Sequence, residues 1–187
     1  MSPIPVFEIG LLNAWIFMLI NFLPMPILMT IHKGLAREAG RPRSGIERKI
    51  YPVMWVIWTL AFVYSVFLPL RLDTIWFYTG LPIALVGLAT FIMVIVTFAT
   101  TPIDKEPLTK GLYRYSRHPM YITQLVMFIG VGVASASWLF LLLTIVYTAL
   151  SFVFAASEER SCLERYGDAY REYMNKTPRW IGIPKSA

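Results

Sequence analysis

The stretch RHPMYITQLVMFIGVGVASASWLFLLLTIVYTALSFVFAASEER, from Arg117 to Arg160, contains two apolar runs that meet at a short polar turn. The runs cover residues 119–134 and 138–157, and Ser-Ala-Ser at 135–137 joins them. This pattern predicts a tight hairpin of two helices. The first run is short for a bilayer, which takes about 20 residues to cross, and it is rich in small residues that let helices approach closely.

The polar ends of this hairpin are its second notable feature. His118 and Pro119 open the first run, and Glu158 and Glu159 follow the second. Both ends return to the same membrane surface, so a histidine, an arginine and two carboxylates are predicted to become neighbours there. Adjacent glutamates at the end of a membrane helix are costly unless they are paired or hydrated, and a helix C-terminus disfavours anions. The pair is therefore a candidate for holding a cationic group.

The remainder of the chain extends this membrane character. Of its 187 residues, 57% are hydrophobic and only 15% are charged, which is unusual for a soluble domain. Further apolar runs cover residues 6–31, 50–70 and 75–99. We therefore expect an all-α, polytopic integral membrane protein with five transmembrane helices in a single membrane domain, residues 1–187. Asn21 and two prolines in the first run predict a kink near its end.

The distribution of basic residues predicts the orientation of the protein in the membrane. Segments 32–49 and 101–117 and the tail from residue 158 hold 16 of the 17 lysines and arginines, and Arg71 is the exception. Five spans place all three segments on one face, which the positive-inside rule makes cytoplasmic. The N-terminus is then outside and the C-terminus cytoplasmic. Such residues are also typical contacts of anionic membrane lipids.

The tail has the periodicity of a helix. Leu163, Tyr166, Tyr170 and Tyr173 recur at steps of three or four residues, which predicts one face of a cytosolic C-terminal helix that covers the site as a lid. Gly167 is expected to interrupt it, with the next residue, Asp168, as a new N-cap. Tyrosines are equally typical of the membrane interface.

Several classes of site lack support in the sequence. One cysteine and two histidines predict no metal site. No glycine-rich phosphate loop is present, and nothing indicates nucleic-acid binding. The sequence gives no indication of the oligomeric state.

Three motifs together resemble a known family. They are GLYRYSRHPMY at 111–121, EER at 158–160 and YGDAYREYMNKTPRWIG at 166–182. The combination, over roughly residues 75–183, is similar to the isoprenylcysteine carboxyl methyltransferases, and the related phospholipid methyltransferases share its Arg-His-Pro-x-Tyr and Glu-Glu signatures. The chain departs from the family pattern after Tyr121, where Ile, Thr and Gln stand at 122–124.

The resemblance implies a cofactor, a substrate and a site. S-adenosylmethionine would bind at the cytosolic face, within a C-terminal half of about 101–183, and a lipophilic or prenylated substrate would enter from the bilayer. The residues implied in cofactor binding are Gly111, Leu112, Tyr113, Arg117, His118, Pro119, Tyr121, Glu158 and Glu159. Those implied in catalysis are His118, Glu159, Lys176 and Arg179.

The roles within that site depend on the acceptor. Methyl transfer is an in-line displacement that needs alignment more than covalent help. A carboxylate acceptor needs no general base, and Lys176 or Arg179 would meet it. An amine or hydroxyl acceptor would need a base, which His118 or a glutamate would supply.

The function expected from the sequence is therefore an S-adenosylmethionine-dependent methyltransferase acting on a lipophilic acceptor, such as a prenylcysteine-like carboxylate or a lipid head group. Two alternatives stay open at this point. One is an NADPH-dependent membrane reductase of related architecture, and the other is a non-catalytic membrane protein that binds lipid or a partner.

Overall fold

The computed structural model of the protein describes residues 7–31, 45–102 and 105–184, and in these ranges every regular element is helical. Residues 32–44, the larger part of the basic segment 32–49, lie outside the described residues. Seven α-helices and one 3₁₀ helix, at Gly111–Arg114, follow one another along the described chain. The α-helices are α1 Trp15–Phe22, α2 Pro24–Ile31, α3 Gly45–Val66, α4 Ile75–Thr100, α5 Pro119–Ala134, α6 Trp138–Tyr166 and α7 Asp168–Lys176.

The predicted hairpin forms from α5 and α6. The first arm has the bounds expected from the sequence, and the second begins where expected. Ser137 caps α6, because its side chain accepts a hydrogen bond from the Phe140 backbone N–H at 3.2 Å. However, α6 continues nine residues past the expected end at 157. With 29 residues it is about 43 Å long, so its last turns, including Glu158 and Glu159, extend beyond a bilayer core of about 30 Å.

The first apolar run differs most from its prediction. The described part of this run, residues 7–31, does not form one continuous helix, because residues 7–14 are mostly irregular and the helical part divides into α1 and α2 at Leu23. The break lies immediately before Pro24, one of the two prolines on which the predicted kink is based. Proline has no N–H to donate, so a helix is weakened there. Each of the two helices has eight residues, too few to cross a bilayer alone.

A pairing between distant segments explains the irregular start. The Asn13 amide donates to the carbonyls of Glu8 and Val66 at 2.7 Å each, and the Leu70 backbone N–H donates to Leu12 at 3.2 Å. The end of the second apolar run therefore pairs with the first. For this reason α3 ends at Val66, four residues before the expected end at 70.

Glycines bring α4 and α5 into direct backbone contact. A Cβ added to Gly87 would collide with the Met127 backbone, and one added to Gly130 would collide with the Ala84 backbone. The small residues in the first arm thus allow close helix packing, as predicted. The core around this contact contains residues of α1, α3, α4, α5 and α6: Phe17, Met18, Tyr64, Ala84, Met127, Phe128, Val131, Phe140 and Tyr147.

The bundle has two distinct ends. At one end the Arg71 backbone N–H donates to Ala134 at 3.0 Å, and the Tyr64 hydroxyl lies 2.9 Å from Ser137 Oγ. Residues 7–14 lie at this end. The segments 105–118 and 177–184 lie at the other end, next to the open ends of the hairpin.

Three described helices are long and apolar enough to cross a membrane, namely Arg48–Val66, Ile75–Thr100 and Trp138–Tyr166, and Pro119–Ala134 is a shorter apolar helix. The described part of the protein is therefore that of a helical membrane protein. The count of five spans and the sidedness of the termini stay predictions.

The tail forms α7, a short helix separate from α6. Gly167, with φ +55°, ends α6 as predicted, and it also occupies the N-cap position of α7. The prediction of Asp168 as the cap was therefore wrong, since Asp168 is already helical. Tyr170 and Tyr173 are buried, so α7 packs one face against the rest of the protein, as its periodicity indicated.

Candidate active site

The two open ends of the hairpin meet through His118 and the glutamate pair. His118 Nε2 lies 3.2 Å from Glu159 Oε1, and His118 Nδ1 lies 3.3 Å from Glu158 Oε2. The histidine is the N-cap residue of α5, and the glutamates lie where α6 returns to the same level. The neighbourhood predicted from the hairpin is thus present in the structure.

Glu159 is the centre of a buried charge cluster. Its side chain is only 8% exposed, and Arg117 Nη2 lies 3.2 Å from Oε1. The Arg179 guanidinium donates to both carboxylate oxygens, from Nε at 3.1 Å and from Nη2 at 2.5 Å. A bidentate guanidinium–carboxylate pair fixes both partners geometrically. Three segments, 117–118, α6 and the C-terminal residues, are thereby held together at one carboxylate.

His118 has an altered proton affinity in this cluster. Its ring is buried, which favours the neutral form, but hydrogen bonds to Glu158 and Glu159 outweigh that effect and raise the pKa of His118 above its usual value. The imidazolium is therefore favoured over a wider pH range than in free histidine. A histidine that keeps its proton and contacts two carboxylates is poorly prepared to act as a general base.

Glu158 differs from its neighbour in exposure. Its side chain is 46% exposed, and one oxygen accepts a hydrogen bond from the Tyr121 hydroxyl at 2.7 Å. Tyr121 lies on the first turn of α5, one helical turn after His118. Glu159 is thus closed off by cations, whereas Glu158 is accessible to a ligand from outside.

The loop before α5 forms a 3₁₀ helix, Gly111–Arg114. Gly111 has φ +58°, a left-handed conformation that favours glycine, and a Cβ there would come within 3.0 Å of Thr97 Oγ1. Tyr113 is buried against Val94 and Leu108, and burial raises the pKa of its hydroxyl. Leu112 packs against the same small cluster.

The last described residues form a strap, residues 177–182, that lies along the loop 113–117. The Arg117 backbone N–H donates to Pro178 at 3.1 Å, and the Gly182 N–H donates to Tyr115 at 3.1 Å. The strap also carries Trp180, whose ring centroid lies 5.8 Å from that of His118 and 4.5 Å from that of Phe152.

Tyr173 links α7 to the same loop. Its hydroxyl donates to the Tyr113 carbonyl at 2.7 Å, and Ser116 Oγ donates to the Arg179 carbonyl at 3.3 Å. The tail thus covers the loop, as a lid would. Burial raises the pKa of Tyr173, which keeps the hydroxyl a donor.

Most of the predicted site residues converge. Arg117, His118, Tyr121, the two glutamates and Arg179 form one connected cluster, Pro119 begins α5 beside it, and Gly111, Leu112 and Tyr113 form the adjoining loop. Lys176 is not brought to this cluster. Its Nζ lies 2.6 Å from Glu172 Oε1 on the exposed side of α7, and Arg179 occupies the cluster instead.

Two neighbours of the cluster were not singled out from the sequence. Ser116 accepts the His118 backbone N–H at 3.0 Å, and Trp180 packs near the imidazole. Trp180 directly follows Arg179 in the Lys-Thr-Pro-Arg-Trp motif, which was the available signal. In the described part of the chain, no group of three His, Cys, Asp or Glu side chains is arranged to hold a metal ion.

One donor in the cluster has no partner. Arg117 Nε is buried and makes no hydrogen bond to any residue that the structure describes, although the Nη2 of the same side chain lies near Glu159. A buried unsatisfied donor is costly, and a ligand that carries an acceptor would remove the cost. The cluster therefore contains one accessible anionic group, Glu158, and one buried cationic donor that is unsatisfied.

Two comparisons with known proteins bear on this site. Residues 84–169 match the family model of the phospholipid methyltransferases. The chain is also 39% identical, over 83 residues or 44% of its length, to methanethiol S-methyltransferase 1 of Bradyrhizobium diazoefficiens. The matched part covers 27% of that relative's length. The matched residues 84–169 include the hairpin, His118 and both glutamates. Over residues 84–169 the chain is therefore similar to the phospholipid methyltransferases, and the resemblance to integral-membrane methyltransferases that the motifs indicated is confirmed.

Proposed function

We propose that this protein is an S-adenosylmethionine-dependent methyltransferase that acts on a lipophilic acceptor at the cytosolic face of a membrane. The observation that carries the proposal is the charge cluster at the open ends of a membrane hairpin, whose members His118, Glu158 and Glu159 lie inside the segment that matches the phospholipid methyltransferases. A water-soluble, charged cofactor and an apolar acceptor can meet only where a polar site adjoins the bilayer.

The residues present fit the cofactor. S-adenosylmethionine carries an ammonium group and ribose hydroxyls, and the accessible Glu158 carboxylate can accept hydrogen bonds from these groups. It also carries a carboxylate, which can accept from the unpartnered Nε of Arg117. The loop Gly111–Arg114, with Pro119 and Tyr121, borders these two positions. When bound, the cofactor supplies the methyl group from a sulfonium.

The chain's own residues hold the side chains of the cluster in position and shield His118 from solvent. Glu159 fixes Arg117, His118 and Arg179 in one arrangement, so their positions are set before a ligand arrives. The strap and Trp180 cover the histidine from the outside. The three basic groups exceed the two carboxylates by one charge when His118 is protonated, which favours an acceptor that arrives as an anion.

Two acceptor classes meet this condition. A lipophilic carboxylate, as in the prenylcysteine methyltransferases, needs no base and would pair with Arg179. A thiol that binds as its thiolate is the second candidate, favoured by the relative named for methylating methanethiol on sulfur. The Arg179 side chain is 36% exposed while it is paired with Glu159, so either anion could approach it from outside.

The test begins with the cofactor. Calorimetry of the detergent-purified protein should show binding of S-adenosylhomocysteine and none of NADPH. Methyl transfer from isotope-labelled S-adenosylmethionine is then measured to a long-chain carboxylate and a long-chain thiol. Binding of NADPH alone would support the reductase instead, and binding of neither, with unchanged function after Glu158→Gln and Glu159→Gln, would support a non-catalytic protein.

A further inference from the structure

Three polar side chains form a hydrogen-bonded row inside the helical bundle, apart from the charge cluster. They come from three helices, namely Asn21 on α1, Gln124 on α5 and Tyr147 on α6, and each is at most 7% exposed. The Tyr147 hydroxyl donates to Gln124 Oε1 at 3.0 Å, and Gln124 Nε2 donates to Asn21 Oδ1 at 3.4 Å. We call these three residues the amide row.

The amide row has a direction and an unused end. Each member donates to the next, and the last, Asn21, has no partner for its own Nδ2 among the described residues, although that atom is buried. A buried amide donor without a partner is costly, and more so where no water is at hand. If the row served only to hold the helices together, a final donor paired with an acceptor would stabilise the fold more. In this row the final donor, Asn21 Nδ2, is unpaired among the described residues.

The row lies on the membrane side of the charge cluster. Gln124 is six residues into α5 from His118, which places it about 9 Å further along the helix axis. A lipophilic molecule whose reactive end reached His118 would therefore extend past the row. Polar side chains at membrane depth are rare and are functional candidates by default.

We infer that the Asn21 amide is a recognition site for an uncharged oxygen, of the carbonyl or ether class, within the apolar body of the substrate. The inference rests on the proposed function for the identity of the substrate, but the binding site itself is independent of methyl transfer. The acceptor would then be more than a plain hydrocarbon chain, since its oxygen would take the N–H that Asn21 leaves unused.

The experiment compares two radiolabelled probes, a long-chain methyl ketone and the alkane of equal length, at fixed detergent concentration. One hydrogen bond gained in the site should favour the ketone by about 3- to 10-fold in Kd. The preference should disappear in Asn21→Leu. It should persist in the matched control Thr144→Val, which removes a buried hydroxyl that bonds only to its own helix, at the Phe140 carbonyl.

Folding is checked separately. Asn21→Leu removes one unsatisfied donor but leaves Gln124 Nε2 without its acceptor, so a modest fall in the melting temperature is expected while the protein stays folded. If it does not fold, the infrared carbonyl band of an isotope-labelled ketone bound to wild-type protein gives the answer, since a hydrogen-bonded carbonyl absorbs at lower frequency. An equal affinity of wild type for ketone and alkane, or a ketone preference that survives in folded Asn21→Leu, would overturn the inference. S-adenosylhomocysteine binding by the same variant should be unchanged, and its absence in wild type would count against the proposed function alone.

Discussion

His118 and Glu159 are 41 residues apart in sequence, yet the imidazole Nε2 and the carboxylate Oε1 lie 3.2 Å apart. The contact exists because one residue precedes the first arm of the hairpin and the other follows the membrane-crossing part of the second. Any change in the length or the tilt of either arm would separate them. The geometry of the candidate active site therefore depends directly on the membrane fold, because the hairpin sets the distance between His118 and Glu159.

Replacing Glu159 by Gln should weaken both cofactor binding and stability. Arg117, His118 and Arg179 all contact this carboxylate, and removing one partner of a buried ionic group costs roughly 3–5 kcal/mol. The affinity for S-adenosylhomocysteine should fall by about 1–3 kcal/mol in the fraction that stays folded, as measured by calorimetry. The control is Glu106→Gln, at an exposed loop position. Unchanged affinity in folded Glu159→Gln would remove this residue from the site.

The hairpin and its polar ends are the parts of the fold that sequence predicts best. The bounds of α5 follow from local features, since His118-Pro119 starts the helix and a serine-containing turn stops it. The end of α6 could not be located in this way, because hydropathy drops at Glu158 while helix-forming residues such as Glu and Arg continue to Tyr166. A hydropathy limit marks where the membrane ends, and the helix continues beyond it.

Long-range pairing explains the features that sequence did not predict. The irregular residues 7–14 are held by the chain around Val66 and Leu70, a contact that no local pattern reveals. The end of α7 likewise determines that Arg179, and not Lys176, reaches the charge cluster. The lysine is still helical and points to Glu172, whereas Thr177 and Pro178 turn the chain so that the arginine reaches Glu159.

The stability of the protein should depend on pH through His118. Its pKa is raised in the folded state, so its favourable contribution is complete below its ordinary value of about 6.5 and is lost as the pH rises through the raised pKa. Glu158 and Glu159 are the charged groups that contact the ring, with Trp180 and Tyr121 beside it. The melting temperature should therefore fall with rising pH in this window.

The histidine can be identified as the source with one variant. In His118→Gln the fall in melting temperature over the same pH range should be smaller, because glutamine does not titrate and position 118 then releases no proton on unfolding. Arg171→Gln serves as the control, since the exposed Arg171 pairs with the exposed Asp168. Parallel curves for wild type and His118→Gln would mean that another group titrates.

Packing of α4 against α5 should tolerate no added volume. In Gly87→Ala the new methyl group would collide with the Met127 backbone, and overpacking of this kind costs roughly 1–3 kcal/mol. The matched control on the same helix is Ala89→Val, at an exposed position. Thermal melting in detergent should show a lower transition for the glycine variant alone. Equal transitions would indicate that the two helices separate easily.

The two ends of the bundle should face opposite sides of the membrane. Leu11 and Ile183 are 85% and 89% exposed and lie at opposite ends, so cysteines introduced there in a Cys162→Ser background report each side. An impermeant thiol reagent added outside should label Leu11→Cys in intact cells and Ile183→Cys only after permeabilisation. Labelling of both positions in intact cells would contradict the arrangement with the N-terminus outside and the C-terminus in the cytoplasm.

Acceptor recognition should depend on chain length if the acceptor arrives through the bilayer. Burial of each further methylene contributes up to about 0.8 kcal/mol, and part of this is lost because the free acceptor already resides in lipid or detergent. A series with one reactive head and increasing chain length, assayed at fixed detergent concentration, should give values of kcat/KM that rise and then level off once the apolar site is filled. The proposed cofactor contacts at Glu158 and Arg117 do not involve the acceptor's tail, so the affinity for S-adenosylhomocysteine should stay constant along the series. If a short, water-soluble acceptor is methylated as well as the long ones, the acceptor is recognised from the aqueous side, and entry through the membrane is wrong while the cofactor site stands.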